Sequence, residues 1–190
     1  HYVKMRNIPI VTKNLLIINI LVFIATYVLR GLNIDLNDIL GLHFFLASDF
    51  RIWQFFTYMF MHSGFTHILL NMFMLWMFGM VVENVWGPRK FLFYYIVCGV
   101  GAGLCQELAQ YGTYLVEGLA HFDSVRIGTT VLPMNVYLNM MNTVGASGAI
   151  YGVLLAFGML FPEERMFIIP IPIPIDRKST RLNSSHSAKS

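Results

Sequence analysis

Four apolar runs divide the chain. Residues 14–29 (NLLIINILVFIATYVL) carry no charged side chain. Residues 68–82 (ILLNMFMLWMFGMVV) follow the aromatic stretch FFTYMFMHSGFTH, and residues 91–104 (FLFYYIVCGVGAGL) follow Arg89 and Lys90. Residues 145–161 (GASGAIYGVLLAFGMLF) stop at Pro162, Glu163, Glu164 and Arg165. Each run is near or slightly under the ~20 residues that span a bilayer, and each lengthens with its neutral flanks. None shows the strict alternation of a strand. In lipid, only a helix satisfies its own backbone without closing a barrel. The pattern therefore predicts an all-α, polytopic bundle with four spans. No small-x-small cleavage site follows the first run, so it reads as a retained helix rather than a signal peptide.

The segments between the runs differ in kind. Residues 30–56 include LHFFLASDFRIWQFF, whose aromatics suit a membrane interface. Residues 106–144 are mixed and hold Gly112, Gly118, Gly128 and Pro133, so they read as partly loop. The stretch IPIPIPI at 169–175 has proline at alternate positions, which forbids a helix and predicts an extended connector. There is no internal repeat.

Composition strengthens the membrane reading. Hydrophobic residues make up 56% of the 190, charged residues 12%, and the mean hydropathy is +0.61. A soluble fold of that composition would leave large apolar surfaces in water. Cys98 and Cys105 lie on one predicted helix face, about 10 Å apart along the axis, too far to bridge; they read as buried thiols. The net charge of +3 resides in residues 176–190, where Arg177, Lys178, Arg181 and Lys189 face only Asp176. The rest of the chain is neutral, so nothing points to a nucleic-acid partner. The segment DRKSTRLNSSH matches one reading frame of a common sequencing adapter. Residues 176–190 are therefore expected to be a read-through tail, and residues 1–4, ahead of Met5, a non-native leader. With the N-terminus in the cytoplasm, Lys4, Arg6, Lys13, Arg89, Lys90 and Arg165 fall inside and Arg30, Arg51 and Arg126 outside. That asymmetry predicts an N-in, multi-pass protein.

Polar groups inside spans are costly and mark candidate functional sites. His62, His67, Asn71 and Ser147 are such groups. With the N-terminus inside, the second and fourth helices both run inward, which brings all four residues to the outer ends of their helices. His67 and Asn71 are spaced i, i+4 and share a face. Ser147 opens the fourth helix, where unpaired N–H groups and the positive dipole end can stabilise a developing oxyanion. Gly145 and Gly148 allow a sharp turn and close approach of a substrate backbone. Side-chain donors on His67 and Asn71 could complete an oxyanion hole, each worth ~3–4 kcal/mol in the transition state. The pattern suggests acyl transfer by a serine nucleophile. A blander account stays open beside it: Gly148 and Gly152 are spaced as in close helix packing, and histidine or asparagine can be interhelical glue.

The order and spacing of HSGFTHILLNMFMLWMFG and GASGAIYG resemble the rhomboid family of intramembrane serine proteases, over residues 5–175. The resemblance implies Ser147 as nucleophile, and His67 and Asn71 as the oxyanion-stabilising pair, joined by the Ser147 N–H. It implies a structural role for His62 near that pair, and matches Gly145 and Gly148 to the glycines around the nucleophile. It implies no cofactor and no metal, with transmembrane proteins as substrates and a bacterial cytoplasmic membrane as location. The sequence departs from the family pattern twice. Trp53-Gln54 stands where Trp-Arg is common, and the family's base histidine, carried on a sixth helix, has no counterpart among about four spans. His67 as its own base would leave the oxyanion hole short of a donor. The expectation is a truncated rhomboid-like domain at 5–175, inactive as written.

Two other function classes fit less well. A non-catalytic binder of transmembrane clients has no need of Ser147. A haem or metal protein using His62, His67 and His121 would favour i, i+4 ligands, whereas His62 and His67 are i, i+5 with no carboxylate nearby.

Overall fold

The computed structural model describes residues 7–162. The expected leader at 1–4, the alternating-proline connector at 169–175 and the tail at 176–190 lie outside the described residues. The chain opens with α1 (Ile10–Arg30), entered through Pro9. A polar segment follows, with α2 (Leu36–Leu40), β1 (Leu42–His43), α3 (Gln54–Thr57) and a 3-10 turn (Tyr58–Phe60). The second long helix has three parts: α4 (Phe65–Met74), a π-helical turn (Leu75–Gly79) and α5 (Met80–Trp86). Gly87, at φ +82°, reverses the chain, and Pro88 begins α6 (Pro88–Val116). Then come a 3-10 turn (Leu119–His121), the hairpin β2 (Ser124–Ile127) and β3 (Thr130–Pro133), α7 (Met134–Met140), β4 (Asn142–Thr143) and α8 (Ser147–Leu160).

Among the described residues, three helices are long and apolar enough to cross a membrane: Ile10–Arg30, Phe65–Trp86 and Pro88–Val116. The fourth apolar run forms the shorter α8, of 14 residues. The predicted helical membrane bundle is thus present. Its boundaries differ most at α6, which has 29 residues where the apolar run suggested 91–104. At 1.5 Å per residue α6 is about 43 Å long, against a hydrocarbon core of about 30 Å. Its last turns carry Gln106, Glu107 and Gln110, which interrupt the apolar pattern without ending the helix. The two cysteines are free, but Cys98 is only half-buried and Cys105 is exposed, so the expectation of two buried thiols is corrected. That face of α6 turns outward at Cys105.

Polar residues inside the helices are mostly satisfied locally or across a contact. Asn19 and Thr26 of α1 donate back to the Leu15 and Val22 carbonyls, at 2.8 and 2.9 Å. Helix α1 has no side-chain cap of its own. Glu83 of α5 supplies one: its carboxyl oxygens accept from Val11 N (2.9 Å), Thr12 N (2.7 Å) and Thr12 Oγ1 (2.8 Å). Lys13 N already donates to the Pro9 carbonyl and Pro9 has no N–H, so two of the three orphan donors of α1 are thereby paired, and an acidic group meets the positive end of the helix.

The π turn has a geometric consequence. At about 100° per residue, Asn71 and Glu83 of a regular helix would point about 120° apart; one extra residue in a wide turn reduces this to about 20°. Both side chains are buried, so one side of the helix serves the interior at both ends. The core is built from Leu75, Val82, Phe91, Tyr95, Ala149 and Val153, joined by Tyr58 and Met59 from the 3-10 turn.

Helices α6 and α8 pack through small residues. A Cβ on Gly148 would overlap Ala102, and one on Gly152 would lie 2.5 Å from Cys98 Sγ. Tyr94 of α6 donates its hydroxyl to the Gly152 carbonyl at 2.8 Å. The packing role of Gly148 and Gly152 is therefore real. The side of α8 away from the buried Ala149, Val153 and Ala156 exposes Tyr151, Leu155 and Met159, an apolar stripe suited to lipid or to another helix.

Replacing Glu83 with Ala would strand two buried N–H groups and a hydroxyl. It is expected to lower stability by about 3 kcal/mol, with Glu83→Gln losing less because one acceptor remains. Unfolding midpoints of the two variants in detergent micelles measure the difference.

Candidate active site

The turn into α8 is fixed from two sides. Strands β1 and β4 pair antiparallel, Leu42 with Thr143 and His43 with Asn142, so the chain arrives at Gly145 already anchored. Gly145 N then donates to the Tyr58 carbonyl at 2.9 Å. Tyr58 is itself held by its hydroxyl, which donates to the Gly99 carbonyl of α6 at 2.5 Å. The polar segment is in turn organised by Gln54. Its Oε1 accepts from His43 N (3.3 Å) and Arg51 N (3.0 Å), and its Nε2 donates to the Ile39 and Asp49 carbonyls (3.3 and 3.1 Å). The residue that departs from the Trp-Arg pattern thus holds four backbone groups of that segment in place.

Gly145 has φ +132°, a conformation L-residues rarely adopt. Space forbids a side chain there as well. A Cβ would sit 2.8 Å from His67 Cε1, 2.9 Å from His67 Nε2 and 3.6 Å from Ser147 Oγ. The glycine is therefore where the imidazole of α4 and the hydroxyl at the start of α8 come together. The first backbone bond of α8 runs from Ile150 N to the Ala146 carbonyl at 3.0 Å. The N–H groups of Ser147, Gly148 and Ala149 precede it and have no carbonyl within the helix.

The other sequence-derived candidates surround this point. Asn71, one turn along α4 from His67, is buried, and its Nδ2 has no hydrogen-bond partner among the described residues. His62 is not on the helix as expected; it lies in the extended segment before α4, which begins at Phe65. It still reaches His67, with ring centroids 5.1 Å apart and planes 67° apart. His62 is buried and neither ring nitrogen makes a hydrogen bond of good geometry, though the Phe60 carbonyl lies near enough to favour the proton a little. Burial, reinforced by His67, holds its pKa down to about 4, so it packs as a neutral ring. Gly148 faces Ala102 and belongs to the helix contact rather than to the Ser147–His67 face.

Ser63 was not singled out in the sequence, yet its Oγ lies 3.1 Å from His67 Nδ1. Its i, i+4 spacing to His67 was the available signal. The remaining described histidines are elsewhere. His43 has both ring nitrogens on backbone carbonyls, Asn139 at 3.0 Å and Asp38 at 2.7 Å. His121 is exposed in the 3-10 turn.

Gly145→Ala combines a disfavoured φ with a clash against His67. It is expected to cost about 2 kcal/mol and to displace the ring. A lowered thermal midpoint in detergent, with altered His67 ring resonances, would register both.

A model of the Rhomboid domain matches residues 49–177, about two thirds of the chain. The rhomboid-type protein YdcA of Bacillus subtilis is 30% identical over 114 residues, covering 59% of this chain and 44% of its own length. Rhomboid protease AarA of Providencia stuartii is 28% identical over 123 residues, 65% of this chain and 39% of its own. Rhomboid-like protein 11 of Arabidopsis thaliana, a chloroplast protein, is 32% identical over 130 residues, 63% and 37%. The chain spans about two fifths of the length of these curated relatives. Because the Rhomboid domain model covers well over half of its residues, the chain belongs to the rhomboid family.

Proposed function

We propose that the protein of which these residues form part is an intramembrane serine endopeptidase. Ser147 is the nucleophile. His67 and Asn71, with the N–H groups at the head of α8, form the oxyanion hole. His62 packs against His67 and keeps that ring in place, while Gly145 gives the close approach. The observation that carries this reading is the approach of both His67 Nε2 and Ser147 Oγ to the Gly145 turn, each within 4 Å of where a Cβ on Gly145 would stand. A helix-packing serine would not need an imidazole folded against a glycine held at positive φ. The unpartnered Asn71 amide supports the same reading, because a buried donor without an acceptor is poised for a charge that appears only during reaction.

The substrates are transmembrane proteins, cut near the outer leaflet where helix-destabilising residues let a strand reach Ser147. The chemistry uses no metal or cofactor, and no nucleic acid takes part. The N-terminus is cytoplasmic in a bacterial membrane, as the lysine and arginine distribution indicates.

The 190-residue polypeptide alone is inactive. Serine needs a base at hydrogen-bond distance. His43 is engaged at both nitrogens, His121 is exposed, and His67 is assigned as donor. His1 and His186 lie in the segments read as leader and tail.

The test is cleavage of a fluorescent transmembrane substrate in liposomes. The product of the complete gene is expected to cleave it, and Ser147→Ala to abolish cleavage. His67→Ala and Asn71→Ala should each lower kcat by about 10²–10³-fold. Cleavage unaffected by Ser147→Ala would sink the reading. In the same assay the 190-residue polypeptide should give no Ser147-dependent product, and turnover by it would show that a base is present after all.

A further inference from the structure

We infer that Ser63 is a positioning residue that sets the tautomer of His67. The inference deepens the proposed oxyanion-hole reading and rests on it for its significance. Ser63 Oγ lies 3.1 Å from His67 Nδ1. The other nitrogen, Nε2, faces the Gly145–Ser147 turn.

A neutral imidazole has one N–H and one lone pair, and the partner of one nitrogen decides what the other presents. A histidine that works as a base beside serine carries a carboxylate or carbonyl on Nδ1. Such an acceptor draws the proton to Nδ1 and leaves a lone pair on Nε2. His67 has a hydroxyl there instead. A hydroxyl can donate, so Nδ1 can remain the lone-pair nitrogen and Nε2 can carry the proton toward the Ser147 turn. A lone pair on Nε2 would repel a developing oxyanion; an N–H stabilises it.

Ser63 meets the requirements of that role. It is exposed, so its own lone pairs are satisfied by water while its proton goes to the ring. It precedes α4 and is four residues from His67, so the backbone of Gly64 and the first turn set the contact. No described acidic side chain is recorded bonding to either nitrogen of His67, so nothing else on the ring competes to reverse the tautomer.

The experiment is nitrogen-15 NMR of the histidine-labelled 190-residue polypeptide in detergent micelles, with His67 assigned by loss of its signals in His67→Gln. The expected spectrum has an unprotonated Nδ1 and a protonated Nε2 for His67. Ser63→Ala should add a second set of His67 ring signals from the reversed tautomer, and Ser63→Thr, which keeps the hydroxyl, should remove it. Ser63→Asp, an acceptor in place of a donor, should move the proton onto Nδ1. A wild-type His67 protonated at Nδ1, or a spectrum indifferent to Ser63→Ala and Ser63→Asp, would overturn the inference. Because no substrate is present, this outcome is independent of whether the protein cleaves anything. If the tautomer behaves as expected and the complete gene product shows no Ser147-dependent cleavage, the protease reading fails alone.

Discussion

The fold hinges on the close approach of α6 and α8. In lipid there is no hydrophobic force to press two apolar helices together, so van der Waals contact between small residues and occasional hydrogen bonds must hold them. Gly148 and Gly152 set α8 against Ala102 and Cys98, and the Tyr94 hydroxyl reaches the Gly152 carbonyl across the contact. That contact fixes the depth and rotation of α8. Ser147 is the residue immediately before Gly148, so the same packing that binds the helices also aims the hydroxyl. The competing explanations of GASGAIYG, packing motif and nucleophile turn, describe adjacent residues of one device.

A second constraint ties the opposite end of the bundle. Glu83 caps α1, and through the π turn it shares a side of its helix with Asn71. Without the wide turn, a helix that presented Asn71 to the interior would turn Glu83 well away from it. The irregular turn thus lets one helix meet two demands, an acceptor for α1 at one end and a buried Asn71 at the other.

Much of this was legible in sequence because membranes impose few solutions. The four apolar runs correspond to four helices, and of their polar intruders His67 and Ser147 both come to the Gly145 turn. What escaped had physical causes. The far half of α6 is polar enough to look like loop, yet Glu107 is drawn into the fold by accepting from Phe45 N at 2.8 Å. Glu83 sits at the edge of an apolar run, where a single carboxyl reads as a boundary; its partners are backbone groups some 71 residues away, which no local pattern encodes. The same holds for Gln54 and Tyr58. They work through bonds to main-chain atoms, and such bonds leave no complementary residue type to search for. Ser63 stands just outside the span, before α4 begins at Phe65, where a serine costs nothing and so carries no signal.

The distribution of unsatisfied buried atoms separates structure from chemistry. Several open atoms among the described residues are acceptor oxygens, on Asn19, Asn37, Glu107, Gln110 and Asn142. An oxygen with two lone pairs often keeps one unused at little cost, and this is common in folded proteins. Unpaired donors are rarer and costlier. Here they are the Asn71 amide, the His62 ring and the Tyr95 hydroxyl. Two of the three adjoin His67. A purely structural asparagine in a span would have turned its amide to a carbonyl, as Asn19 does with Leu15. Asn71, on an equally apolar helix, does not. The free energy left in that unmade bond is available to any acceptor that comes within reach of the Asn71 amide, and that is what separates Asn71 from the self-satisfied Asn19.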